Sequence, residues 1–192
     1  MTSHSDDRPP PLRVALCHLE SLVCSPALNR LFTQMGDEIG LVILSNRFGS
    51  RHGGLLRQFV ASVRRSGFRL TLWLGFDIVS AQVAGHIGGW IGTLRRSGPR
   101  LASVRVLADR HGATLLDVPG VNGSESIGAL RSYAPDIVVV MNFDQVLRRE
   151  FIAAVAPGRI INVHPSTLPA LRGPCPVFWA LAEELVEAGV SL

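Results

Sequence analysis

The run INVHPSTLPALRGPCP, residues 161–176, sets an amide, Asn162, two residues before an imidazole, His164. On an extended strand, side chains two apart share a face, so Asn162 and His164 point one way and Val163 the other. A neutral imidazole gives or takes a proton near pH 7, and an amide N–H holds a developing oxyanion without adding charge. The pair therefore suits attack on a carbonyl carbon. Pro165 turns the chain directly after it, and Ser166, Thr167, Leu168 and Pro169 follow as a stiff loop leading to Arg172-Gly173. Taken singly, a His at a strand end is more often a satisfied structural residue, and a Pro-rich stretch is more often a plain rigid loop. Here all of these residue types stand in one unbroken run, which favours a site.

The elements that must position this run follow from hydrophobic periodicity. LRVALCHL, residues 12–19, is an apolar run after a proline cluster and predicts a buried first strand of a parallel sheet. SPALNRLFTQMG predicts a helix with Ser25 as N-cap, Pro26 in its first turn and Gly36 as its stop. IGLVILSNR, 39–47, is a second buried strand, so the chain begins β-α-β. After Pro99 the alternation resumes. LASVRVLADRHG predicts a helix stopped by Gly112, ATLLDVPG a short strand, and SESIGALRSYAP a helix with Ser124 at the N-cap and Ile127 at N3. DIVVVMNF, 136–143, carries four consecutive β-branched residues between Asp and Asn and is the strongest strand signal. DQVLRREFIAAVAPG is then a helix or turn-helix, and RIINVHP a last parallel strand. The expected fold class is α/β: a Rossmann-like open parallel sheet with helices on both faces. In such sheets ligands sit at the carboxyl ends of strands, where Asn142-Phe143 and Asn162-Val163-His164 both fall.

Residues 48–98 interrupt the rhythm as an unusual apolar helical insertion. Between Leu70 and Leu94 only Asp77 and His86 are ionisable. Three readings stay open: an ordinary buried helical insertion, an interfacial amphipathic segment with flanking arginines, and a membrane span through 70–94, against which its glycines, Asp77 and His86 argue.

With 192 residues, 47% hydrophobic and 18% charged, the composition is that of one globular domain over 12–192 behind a disordered lead over 1–11. The lead is polar, acidic and Pro-rich and lacks the apolar core of a secretory signal. Every one of the 19 basic residues is Arg, dispersed apart from RR pairs, so the +4 net charge does not call for DNA as a partner. Cys17, Cys24 and Cys175 have neither zinc-site spacing nor an even count for disulfides, and read as thiols of a reducing, cytoplasmic protein with no metal. No Gly-rich phosphate loop of the GxGxxG or GxxxxGK[ST] type follows a strand.

INVHPSTLPALRGPCPVFWAL resembles the signature of the folate-dependent formyltransferases, roughly N-hydrophobic-H-x-S-L-L-P-x-x-R-G-x-x-P, with Thr167 in place of a Leu. PDIVVVMNFDQVLRREFI is similar to the family's strand and loop before the folate pocket, and the resemblance holds over about 101–182. It implies transfer of a formyl group from 10-formyltetrahydrofolate to a primary amine. Asn162 and His164 would then be catalytic, Val146 and Leu147 would wall the pteridine, and Ser166, Thr167, Leu168 and Pro169 would line the folate site. Arg172 and Gly173 would shape the acceptor entrance. The acceptor stays open between an amino-sugar nucleotide, methionyl-tRNA and another small amine. CHLESLVCSP after the first strand is not the Gly-Ser-Asn loop of glycinamide ribonucleotide enzymes, and an RNA-binding C-terminal domain does not appear in this sequence.

The resemblance also calls for a catalytic Asp well downstream of the His. After His164 the only acids are Glu183, Glu184 and Glu187, in a run that reads as helix, and the sequence ends in what reads as the start of a further strand. Weak or no activity is therefore expected of the chain as it stands. A fragment of a longer enzyme, a truncated gene product and a domain that kept binding and lost catalysis all fit. The alternative function is a catalytically inactive folate- or nucleotide-binding module, membrane-associated through 70–94.

Overall fold

The computed structural model describes residues 11–21, 23–46, 59–60, 63–64, 67–69, 71–72, 75–76, 79–80, 83, 102–173 and 175–192. Five strands, β1 (Val14–His18), β2 (Ile39–Ser45), β3 (Thr114–Val118), β4 (Ile137–Met141) and β5 (Arg159–Val163), form one sheet in the order β3-β2-β1-β4-β5. Every pairing is parallel. The helices are α1 (Ser25–Met35), α2 (Val104–Arg110), α3 (Ser124–Tyr133), α4 (Arg149–Val155) and α5 (Pro176–Ala182). This is the Rossmann-like α/β class expected from the alternating pattern.

Strand period two sorts the core into two layers. Ala15, Cys17, Leu41, Ile43, Val138 and Val140 face one side with Leu130 of α3 and Phe151 of α4. Val14, Leu16, Val42 and Leu44 face the other with Leu28 and Phe32 of α1 and Leu107 of α2. Both faces are covered, which is why β1 and β2 read as unbroken apolar runs instead of alternating ones.

Several helix boundaries differ from the sequence expectation by one residue. The N-cap of α1 is Cys24, not Ser25; Ser25 is inside the helix and buried, and its hydroxyl donates to Ala102 O at 2.9 Å, tying α1 to the approach to α2. The N-cap of α3 is Gly123, which puts Ser124 in the first turn. Gly36 ends α1 without a left-handed conformation. Its absent side chain matters for space, since a Cβ there would lie 2.3 Å from His111 Nδ1 and 2.4 Å from Phe32 O. Gly112 does stop α2 in the left-handed region, at φ +68. The run holding Glu183, Glu184 and Glu187 is not helix: α5 ends at Ala182, and Glu184 takes φ 52.

The lead over 1–10 and most of 48–98, including most of 70–94, lie outside the described residues. Within that tract the described residues are helical apart from Gly67, and the large apolar side chains among them, Phe68 and Phe76 for example, are exposed.

One irregularity joins the layers. Val14 pairs with Ile39 but Ala15 with Leu41, so Gly40 is a bulge with its N–H outside the ladder. Tyr133, the last residue of α3, supplies the missing acceptor: its hydroxyl takes the Gly40 N–H at 3.0 Å and lies 3.2 Å from Val14 O. A Cβ at Gly40 would stand 2.6 Å from that oxygen, so only glycine lets the phenol in. Tyr133→Phe keeps the ring and strands the amide, and should lower unfolding free energy by about 1–3 kcal/mol in urea titration.

Candidate active site

β5 is the outermost strand on its side, and its register fixes what Asn162 faces. Cys17 pairs with Val140 and Val140 with Asn162, so the three form a row on the face covered by α3 and α4. Asn162 itself is exposed at the carboxyl end of that row. His164, one residue beyond the strand and on the same face by alternation, is half-buried.

The loop after His164 is held by short-range hydrogen bonds. Ser166 N donates to His164 O at 2.8 Å, and the buried Ser166 hydroxyl lies 3.3 Å from Ala170 O. His164 Nε2 is 3.2 Å from Leu171 O. A carbonyl only accepts, so this contact places the proton on Nε2 and leaves Nδ1 as the other functional nitrogen. Leu171 at φ 50 and Gly173 at φ 112 turn the chain through the Arg172-Gly173 pair, and Cys175 at φ 54 reverses it into α5. Arg172 and Gly173 are exposed, as are Thr167, Leu168 and Pro169.

The C-terminal residues return to this loop. His164 and Ser191 exchange backbone hydrogen bonds of 2.9 Å in both directions as an isolated antiparallel bridge. The Ser191 hydroxyl donates to Ser166 O at 2.8 Å and accepts from Leu168 N at 3.0 Å. Ser191 thereby fixes both ends of the Ser166–Leu168 segment, a role invisible in sequence because it depends on a bridge between residues far apart.

On the β4 side, Leu147 packs against the cluster on Asn162's face, whereas Val146 is 81% exposed. Their loop is pinned to the β3–α3 turn: Val121 N donates to Gln145 Oε1 at 2.8 Å, Asn122 Nδ2 to Val146 O at 2.9 Å, and Arg148 N to Asn122 Oδ1 at 2.7 Å. Further polar groups gather at the neighbouring strand ends. The Ser45 hydroxyl donates to Asp144 at 2.7 Å and accepts from Gln145 Nε2 at 2.8 Å. Asn142, at φ 48, donates from its amide to Leu19 O at 3.0 Å. Sequence reading placed Asn142 at a strand end but did not bring it to Leu19, because that needs the strand order.

Residues 102–192 match the sequence profile of a family described as "Formyl transferase". Over that segment, just under half of its length, the chain resembles the formyl transferase family. The methionyl-tRNA formyltransferase of Geotalea uraniireducens is 39% identical over 88 residues, which is 46% of this chain and 28% of the relative. That of Desulfotalea psychrophila is 38% identical over 96 residues, 49% of this chain and 29% of the relative. The chain thus covers less than a third of the length of these curated relatives. Two solved structures share the fold: a phosphoribosylglycinamide formyltransferase from Anaplasma phagocytophilum (TM-score 0.52, 20% identity, 93% of this chain and 62% of that one) and a glycinamide ribonucleotide transformylase from Geobacillus kaustophilus (TM-score 0.52, 15% identity, 93% and 71%). The matching segment contains Asn162, His164 and the whole loop to Gly173.

Two groups near the sheet centre are chemically quiet. Burial pushes the Cys17 thiol up to about 12, so it is not a nucleophile at neutral pH. His18 is buried with Nδ1 donating to Met141 O at 2.8 Å and Nε2 without a hydrogen-bond partner among the described residues. Burial pulls its pKa down to about 4, opposed in part by the Met141 carbonyl. Between about pH 6.5 and 4 the unfolded chain binds a proton that the folded chain does not. The contribution of His18 is therefore complete above about pH 6.5 and is lost as the pH falls through that window. Unfolding free energy should drop by about 2 kcal/mol more in the parent than in His18→Gln between pH 7 and pH 5, as read from urea midpoints.

Proposed function

We propose that this protein transfers a formyl group from 10-formyltetrahydrofolate to a primary amine. What carries the reading is Asn162 and His164 on one face at the carboxyl end of β5, inside the segment that matches the formyl transferase family. The acceptor nitrogen attacks the formyl carbon, and the carbonyl oxygen becomes an oxyanion. The Asn162 amide N–H and the His164 ring stabilise that oxyanion. With Nε2–H engaged by Leu171 O, Nδ1 is the ring nitrogen left for the reacting atoms. Collapse breaks the bond from the formyl carbon to the folate nitrogen; that nitrogen takes a proton, and the former amine loses one.

Leu147, with Val146 at its rim, walls the pteridine, and Ser166, Thr167, Leu168 and Pro169 contact the folate through a loop already ordered by Ser191. Arg172 and Gly173 border the acceptor entrance, where a guanidinium suits an anionic phosphate. The acceptor is a tRNA-linked or small-molecule amine: relatives bear the name methionyl-tRNA formyltransferase, and an amino-sugar nucleotide or another small amine fits the same chemistry.

Folate binding is testable on the 192-residue chain alone. Tetrahydrofolate at about 100 times its dissociation constant should raise unfolding free energy by about 2.7 kcal/mol. No stabilisation at millimolar ligand would remove the donor assignment. In a form with measurable transfer, Asn162→Ala and His164→Ala should each reduce kcat by about 10² to 10⁴-fold with the melting temperature unchanged. Near-parental kcat in both would exclude these residues from the chemistry.

A further inference from the structure

The described helical residues between β2 and α2 expose an apolar stripe. Phe68, Leu72, Phe76, Val79 and Val83 recur at the spacing of one helix face, and all are exposed, Phe76 at 72% and Val79 at 60%. The small polar Thr71 is instead buried, its hydroxyl donating to Gly67 O at 2.8 Å. Phe59 extends the apolar surface by edge-to-face contact with Phe68, ring centroids 6.3 Å apart. Arg64 and Arg69 are exposed beside it.

Charge follows the same division. Residues 47–100 contain nine Arg and one acid, Asp77, a net +8, whereas the rest of the chain holds ten Arg and fourteen acids, a net −4. An outward apolar stripe within a strongly cationic segment complements a surface that is apolar below and anionic above. Among the described residues no helix is long and apolar enough to cross a membrane. An apolar stripe with arginines beside it suits attachment in the interface plane. We propose that the face bearing Phe68, Leu72, Phe76, Val79 and Val83 docks on anionic lipid bilayers, inserting Phe68, Leu72 and Phe76 while Arg64 and Arg69 meet the headgroups. Each arginine near such a surface strengthens binding by up to about fivefold, and salt weakens that part.

The test is co-sedimentation of the 192-residue chain with vesicles of phosphatidylcholine alone and with 30% phosphatidylglycerol, at low and high salt. The expected result is partition at least ten times stronger onto the anionic vesicles, declining with salt. Phe68→Asp/Phe76→Asp should abolish it, and Arg64→Gln/Arg69→Gln should weaken it at least fivefold, both with unchanged melting curves. Equal partition onto both vesicle types, or binding untouched by either double variant, overturns the proposal. So does a sedimentation-velocity dimer that Phe68→Asp/Phe76→Asp dissolves, because the face would then belong to a second copy. If the aspartate pair unfolds the chain, the glutamine pair and the vesicle contrast decide alone.

Discussion

All five residues of β1 are buried, enclosed by helices on both faces and by β2 and β4 on both edges. A strand enclosed in this way can hold no charge and no unsatisfied backbone group, so both neighbours must pair along its full length. The chain first builds outward from β1 to β2 and β3, then crosses back to place β4 on the other edge. Between β1 and β4 the direction of winding changes, and the loops after these two strands part at their carboxyl ends. His18 and Asn142 meet there, the first through Met141 O and the second through Leu19 O. β5 pairs outside β4, and this carries Asn162 to the rim next to the β4 loop.

Local departures from regular geometry are each met by a particular partner. The bulge at Gly40 exposes an amide that the Tyr133 hydroxyl accepts. The entry to α2 uses Ser103, whose side chain accepts from Val106 N, while Val104 N donates to the Glu20 carboxylate from the loop after β1. Gly158 brings the turn before β5 close to the backbone: a Cβ there would stand 2.3 Å from Pro135 O. These contacts hold the strand ends in register, and the placement of Asn162 beside Val140 depends on that register.

The sequence was legible where one physical signal dominates. Continuous apolar runs marked β1, β2 and β4, because two-sided burial leaves no other composition, and Gly112 marked its turn because a left-handed residue was required. Strand alternation alone predicts one face for Asn162 and His164, and the end of β5 is where the structure sets both. Helix starts at Ser25 and Ser124 were displaced by one residue, since a serine before an apolar run serves equally as cap or first-turn residue until tertiary partners decide. Ser25 was decided by Ala102 O. Tyr133, Ser191 and the Ser45-Asp144-Gln145 cluster were not legible, because their partners are separated in sequence and meet only through strand order. For the apolar insertion the sequence left buried and interfacial readings both open, and among the described residues Phe68 and Phe76 are exposed.

Oxyanion stabilisation demands donors whose positions are settled before the reaction begins, since reorganisation during it would consume the gain. For the proposed reaction, backbone contacts would supply that rigidity. The His164 ring rests on Leu171 O, and its main chain is fixed on both sides, by Ser166 N and by the paired Ser191. The Ser191 hydroxyl spans Ser166 O and Leu168 N, so the ordering of the Ser166–Leu168 loop and the ordering of the imidazole share one residue. Asn162 needs no such support, because its main chain already belongs to β5. An amide on a strand and an imidazole on a cross-braced turn thus reach one face by two different routes, and the strict two-residue spacing between them is what makes those routes converge.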